Sequence, residues 1–199
     1  MNSKLRYYEF DKKCYPSVTT ILSAKPNYGL MKWIEKMGEE KAEQEAKRAS
    51  TRGSNTHQLI ENYLLGQTDK GDKMSDLELT LFKQIKDEVD KIKKLIATEA
   101  FLYSDELKLA GTVDCIGEID DKLSVIDFKT SNKSKSKPIE IHKSKIDQIV
   151  LMYTCEDGST QVFCENPSKY YEKLYDELMY FKDNEEALMD IRSVEIIKK

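Results

Sequence analysis

No run of apolar residues in this 199-residue chain approaches the ~20 needed to cross a bilayer. The opening MNSKLRYYEFD also has no apolar stretch of the kind a secretory signal carries. Together these absences imply a mature, soluble, cytoplasmic protein. Cysteine is sparse: Cys14, Cys115, Cys155 and Cys164 show no Cys-x-x-Cys spacing, which argues against a disulfide framework and for free thiols. A zinc or iron–sulfur site would have to be assembled from distant cysteines, without the paired spacing that marks one. A basic excess is absent too, with 32 Lys and Arg against 36 Asp and Glu for a formal net charge of -4. That weighs against a general nucleic-acid coat protein, whose affinity comes from neutralising phosphates. There is no internal repeat at solenoid periods.

What is present, 39% hydrophobic and 34% charged residues, suffices for one core of ordinary size, so a single domain over 1–199 is expected. LRYYEFDKKCYPSVTTIL (5–22) alternates short β-favouring runs around an Asp-Lys-Lys turn and predicts a hairpin. Helical character begins at Tyr28 and continues to residue 49 with an interruption at Gly38; a further helix over 51–65 is expected to end at Gly66. Leu77, Leu81, Ile85, Val89, Ile92 and Ile96 recur at helical spacing and predict a third helix, completing an N-terminal part over 1–96. Strands are expected at about 98–104, 108–119 and 122–128, then two more around Asp157-Gly158, a strong hairpin signal. These make a sheet core over 97–165. Tyr170, Tyr171, Leu174, Tyr175, Leu178 and Phe181 mark a closing helix over 166–190. Helices, then a mostly antiparallel sheet, then a helix give an α/β or α+β fold with a mixed sheet flanked by helices.

The chemistry concentrates in GTVDCIGEIDDKLSVIDFKTS, residues 111–131. Asp127 and Lys129, two apart on a strand, share a face, and the short turn between strands brings Asp114 near them. Two carboxylates at adjacent strand ends form an oxygen-rich pocket suited to Mg2+ or Mn2+. The lysine's work would be electrostatic: holding an attacking water or stabilising charge on a phosphate. A surface Asp127–Lys129 ion pair worth ~0 to 1 kcal/mol is the bland alternative. Its weakness is context, because Asp127 follows Val125 and Ile126 in an apolar run where a carboxylate needs a compensating cation or donor. Upstream, RGSNTHQLIE puts His57 and Glu61 four apart on one helix face, a possible ligand and its supporting partner. Most helical histidines have no such role, and the other histidine, His142, lies among lysines 129, 133, 135, 137, 143 and 145. That Ser-rich stretch reads equally well as a solvated loop or as a phosphate-contacting loop.

GTVD, then IDFKTS after one hairpin, preceded by a helix bearing RGSNTHQLIENYL, resembles the PD-(D/E)XK nuclease superfamily in its RecB-like branch. YPSVTTIL, EAFLYS and YTCEDGSTQVF are similar to segments of the mitochondrial genome maintenance exonucleases and their phage relatives, and the resemblance runs from about Tyr15 to Phe181. It implies a restriction-endonuclease-like core and a metal-dependent hydrolase of DNA phosphodiesters, with single strands bearing free ends as substrate. It implies His57, Asp114, Asp127 and the backbone carbonyl of Phe128 as ligands of Mg2+ or Mn2+, and Lys129 as the catalytic lysine. Glu61 and Glu99 would support the site, while Lys133, Lys135 and Lys137 would contact nucleic acid. A bacterial or phage-infected cell would be the setting, in recombination, repair or replication.

One departure stands out. Relatives follow the D-x-K strand with a helix bearing Gln-x-x-x-Tyr, whereas only residues 130–147 separate Lys129 from Gln148, and Gln148 and Tyr153 have the wrong spacing in what reads as a strand. The helix is expected to be absent. That motivates a second reading, a nuclease-fold module that binds nucleic acid or a protein partner without cleaving. A third, a cysteine-ligated cluster nuclease like those of CRISPR adaptation, is disfavoured because Cys115 sits inside a core strand.

Overall fold

The computed structural model describes residues 4–67, 74–132 and 146–199. Two mixed sheets and five helices are built from them. The residues group into two compact units, one made of 1–32, 101–112 and 170–199, the other of 33–100 and 113–169.

In the first unit, β1 (Leu5–Phe10) and β2 (Lys13–Pro16) form the expected hairpin. Asp11 and Lys12, at φ 47° and 58°, supply the two left-handed residues of a tight two-residue turn. The β pattern stops there. Residues 18–22, expected to continue as strand, form the short helix α1 (Val18–Leu22), because Ser17 caps its amino end by accepting a hydrogen bond from Thr20 N at 3.0 Å. After a 3-10 turn at Pro167–Tyr170 comes the closing helix α5 (Tyr171–Ile191), which buries Leu174, Leu178, Phe181 and Leu188. A last strand, β8 (Val194–Lys198), lies parallel to β1; no signal in the sequence pointed to it. Leu5, Ile21, Leu178 and Phe181 are at the centre of this unit's core.

The second unit carries a 26-residue helix and the helix that follows it. Between α2 (Tyr28–Met37) and α3 (Glu39–Leu64), Gly38 adopts φ 86°. The helical segments expected on either side of residue 50 are one continuous α3, although Ser50, Thr51 and Gly53 are residue types that often cap helices. Gly66 ends the helix as predicted, at φ 67°. The third helix is shorter than its stripe suggested: α4 (Asp76–Val89) stops before Ile92, and Ile96 belongs to β3 (Lys94–Ser104). Apolar residues at helical spacing continued by chance into a strand, a known ambiguity of short apolar runs.

The five-stranded sheet has the order β3, β4 (Leu109–Ile119), β5 (Lys122–Ser131), β6 (Gln148–Cys155), β7 (Thr160–Glu165). Asp120 and Asp121, at φ 52° and 61°, make the tight turn that pairs β4 antiparallel to β5. β5 and β6 are parallel, and β6 returns to β7 antiparallel through the expected turn at Asp157-Gly158. Gly117 marks a close approach: a Cβ there would meet Ile92 Cγ2 at 2.7 Å and Lys94 O at 3.1 Å. Cys115, Ile126, Phe128, Val150 and Met152 point to one side, where Ile60 of α3 and Ile85 and Val89 of α4 complete a core. No helix among the described residues is long and apolar enough to cross a membrane.

Glu78 ties the two helices of this core together. It is buried, 6% exposed, accepts from Asn55 Nδ2 of α3 at 2.8 Å and from Ser75 N and Oγ at 2.6 Å each. Burial pushes its carboxyl up, but the Ser75 and Asn55 donors outweigh that and hold it below the ordinary carboxylate value. Glu78→Gln should therefore cost about 1–3 kcal/mol in urea denaturation at neutral pH. A depressed native pKa stabilises above the unfolded value of 4.5 and is lost as pH falls through the native one, so the variant should lose less stability below pH 4.5 than the wild type. The four cysteines are free, with Cys14 and Cys164 exposed and Cys115 and Cys155 buried. Burial, then the Asp114 charge, pushes the Cys115 thiol up to about 12. A thiol reagent should thus label Cys14 and Cys164 in the native protein and the other two only after unfolding.

Candidate active site at the end of strand β5

Strand parity builds the site. Because Ile126 and Phe128 fill the core, Asp127 and Lys129 must emerge on the opposite face of β5. Lys129 Nζ stands 2.5 Å from Asp127 Oδ2, and that buried oxygen has no other hydrogen-bond partner among the described residues. Burial raises the Asp127 pKa; the Lys129 charge opposes this and the Asp114 charge adds to it.

Asp114 comes from β4. Its Oδ2 accepts the backbone N–H of Phe128 at 2.8 Å and faces His57 Nδ1 of α3 at 3.4 Å. The His57 ring lies edge-on to Phe128, centroids 6.3 Å apart, so it packs against β5 as well as facing Asp114. His57, Asp114, Asp127 and Lys129, predicted from sequence, thus occupy one patch, with side chains between a fifth and a third exposed.

The supporting residues fare differently. Glu61 accepts a hydrogen bond from Gln58 Nε2 at 3.1 Å, and the group that faces His57 is Asp114. Glu99 lies exposed on β3, the strand beside that of Asp114, at a left-handed φ of 46°. Lys133, Lys135 and Lys137 lie outside the described residues, as does 133–145, most of the stretch where the Gln-x-x-x-Tyr helix was expected to be absent. Beyond it, Gln148 and Tyr153 are indeed on strand, both buried. Gln148 Nε2 donates to Ile119 O at 3.2 Å and Ser124 Oγ at 3.0 Å.

Sequence reasoning quoted Arg52 but gave it no role. The side chain is 5% exposed and donates from Nε to Thr130 Oγ1 at 3.3 Å and from Nη1 to Asn132 Oδ1 at 2.7 Å, while ion-pairing with Glu156. Arg48 Nη1 reaches the same Glu156 at 3.1 Å. This fork binds α3, five residues before His57, to the residue that follows Lys129. Its position inside RGSNTH was the only signal available, since its partners are distant in sequence. Tyr153 was given no role either: its hydroxyl is buried without a hydrogen-bond partner among the described residues, and burial, then the Asp127 charge, raises its pKa.

The donor types, one imidazole and two carboxylates, fit a hard divalent cation, and the unpartnered Asp127 oxygen is the atom such an ion would satisfy. As they stand, with Asp127 against Lys129 and Asp114 against His57, no three His, Cys, Asp or Glu side chains among the described residues are arranged to hold one ion.

The chain matches no family model. It is 29% identical over 128 residues to mitochondrial genome maintenance exonuclease 1 of Mus musculus, and 31% identical over 132 residues to the Xenopus tropicalis protein of the same name. Each match covers 60% of this chain but only 38% and 37% of the relative, so the chain spans less than two-fifths of their length. Over that part of its length the chain is thus similar to proteins named as exonucleases. A solved structure described as the crystal structure of SSO0001 aligns with 90% of this chain and 77% of its own at 16% identity and TM-score 0.41, too low to carry an argument.

Breaking the buried Arg52 pair leaves Glu156 facing only Arg48. Arg52→Met should therefore cost about 3 kcal/mol in urea denaturation, the lower end of the range for such pairs, and Arg52→Lys, which keeps the charge but not the fork, should cost less.

Proposed function

We propose that this chain is a Mg2+ or Mn2+ dependent deoxyribonuclease of the PD-(D/E)XK superfamily, RecB-like branch, that digests single-stranded DNA from free ends. The observation that carries the reading is the convergence of His57, Asp114, Asp127 and Lys129 from three separate elements. Similarity to proteins named as exonucleases supports it.

His57, Asp114, Asp127 and the Phe128 carbonyl would hold the ion, which when bound supplies Lewis-acid charge to a phosphoryl oxygen and an activated water. The chain's own work is positional. Asp114, fixed by the Phe128 amide and by His57, presents a carboxylate of defined orientation. Lys129 releases Asp127 as the phosphodiester enters, and its ammonium then orients the attacking water or offsets charge growing on the phosphate.

The absence of a ready metal triad among the described residues favours the alternative of a non-cleaving module that binds nucleic acid or protein. The two part in one assay: cleavage of end-labelled single-stranded DNA beside a covalently closed circle, with Mg2+, Mn2+ or EDTA. The wild type should degrade the linear strand alone and only with metal. Asp114→Asn and Lys129→Ala should each lose about 100-fold or more in rate with the fold intact by circular dichroism. Undiminished cleavage by either variant would overturn the assignment of the site, and a folded wild type that binds DNA without cutting it would establish the binding module.

A further inference from the structure

Two buried polar atoms on one face of β5 and β6 have no hydrogen-bond partner among the described residues: Asp127 Oδ2 and the Tyr153 hydroxyl. Their shared face follows from the register. β5 and β6 are parallel, with Lys129 opposite Tyr153 and Asp127 opposite Leu151, so all four side chains leave the sheet on the same side. The neighbouring register sets Phe163 of β7 opposite Leu151 on that face, and its ring meets Tyr153 edge-on with centroids 5.9 Å apart. Tyr153 is 1% exposed, so water does not solvate its hydroxyl in bulk.

A phenol in such a place is costly. Phenylalanine would fill the same volume without burying an unsatisfied donor, and a buried polar atom with no partner calls for a functional explanation. Asp127 offers one, since its buried oxygen lies on this face and its close contact there is with the Lys129 ammonium. When that lysine turns to a substrate phosphate, the carboxylate oxygen it held is left for a donor that remains in place.

We propose that Tyr153 is a positioning residue whose hydroxyl donates a hydrogen bond to the Asp127 carboxylate, directly or through one bound water, once Lys129 has left it. The inference rests on the nuclease reading of Asp127 and Lys129. Its effect is to keep the carboxylate oriented, as hydrogen-bonded partners of metal-ligating carboxylates do.

The test compares the wild type, Tyr153→Phe and Asp127→Asn in three measurements: melting temperature, Mn2+ affinity without DNA by electron paramagnetic resonance, and kcat and KM on single-stranded DNA. Tyr153→Phe should melt no lower than the wild type, bind Mn2+ about 10-fold more weakly, and lose kcat with KM little changed. Wild-type Mn2+ affinity and kcat would overturn the proposal, as would a lowered melting temperature, which would give the hydroxyl a structural partner instead. Should Asp127→Asn itself retain Mn2+ binding and cleavage, the nuclease reading of the site fails and this inference with it. A dead Asp127→Asn beside an unaffected Tyr153→Phe would remove the inference alone.

Discussion

Everything at the candidate site depends on the parity of β5. Ile126 and Phe128 enter the core with Ile60 of α3 and Val150 and Met152 of β6, and this obliges Asp127 and Lys129 to leave on the other face. A slip of one residue would put a carboxylate and an ammonium into the apolar core and two large apolar side chains into the site. The hydrophobic side of the strand thus fixes the polar side. The pairing with β4 adds the second carboxylate, since the two-residue turn at Asp120-Asp121 sets which residue of β4 lies beside which of β5.

Burial of charge follows a consistent rule in the second unit. Arg52 and Glu78 are nearly inaccessible, and each has several partners: Thr130, Asn132 and Glu156 for the first, Asn55 and Ser75 for the second. Both belong to ties that hold α3, one to the end of β5 and one to the start of α4. Since His57 lies on α3 between Asn55 and the helix end, these ties determine where its imidazole stands relative to Asp114. Among the described residues of this unit, Asp127 Oδ2, the Tyr153 hydroxyl and Asn62 Nδ2 of α3 lack a hydrogen-bond partner, and the first two lie on the face of the candidate site. Fully paired charges stabilise the frame, while underpaired groups are free to take new partners during a reaction.

The sequence made much of this legible because the signals were local. Alternating apolar residues marked both core hairpins, left-handed Asp and Gly positions marked their turns, and the i, i+2 spacing of Asp127 and Lys129 needed only a strand to give them a common face. His57 could be placed on a helix by the pattern around it. Where local patterns were ambiguous the reading erred: the stripe of α4 ran on into β3, and the β-favouring VTTIL became helix once Ser17 capped it.

Composition and periodicity by themselves determined the mixed α/β class, the positions of most strands, and which acidic and basic residues were worth suspecting. Only the tertiary structure decided that Asp114 faces His57, that Arg52 holds the end of β5, that β8 pairs with β1 and that Tyr153 stands across from Lys129. The physical reason is range. A side chain's face within one element follows from that element's own period. Its partners across a parallel pairing or a helix–sheet contact depend on a register that no neighbouring residue encodes.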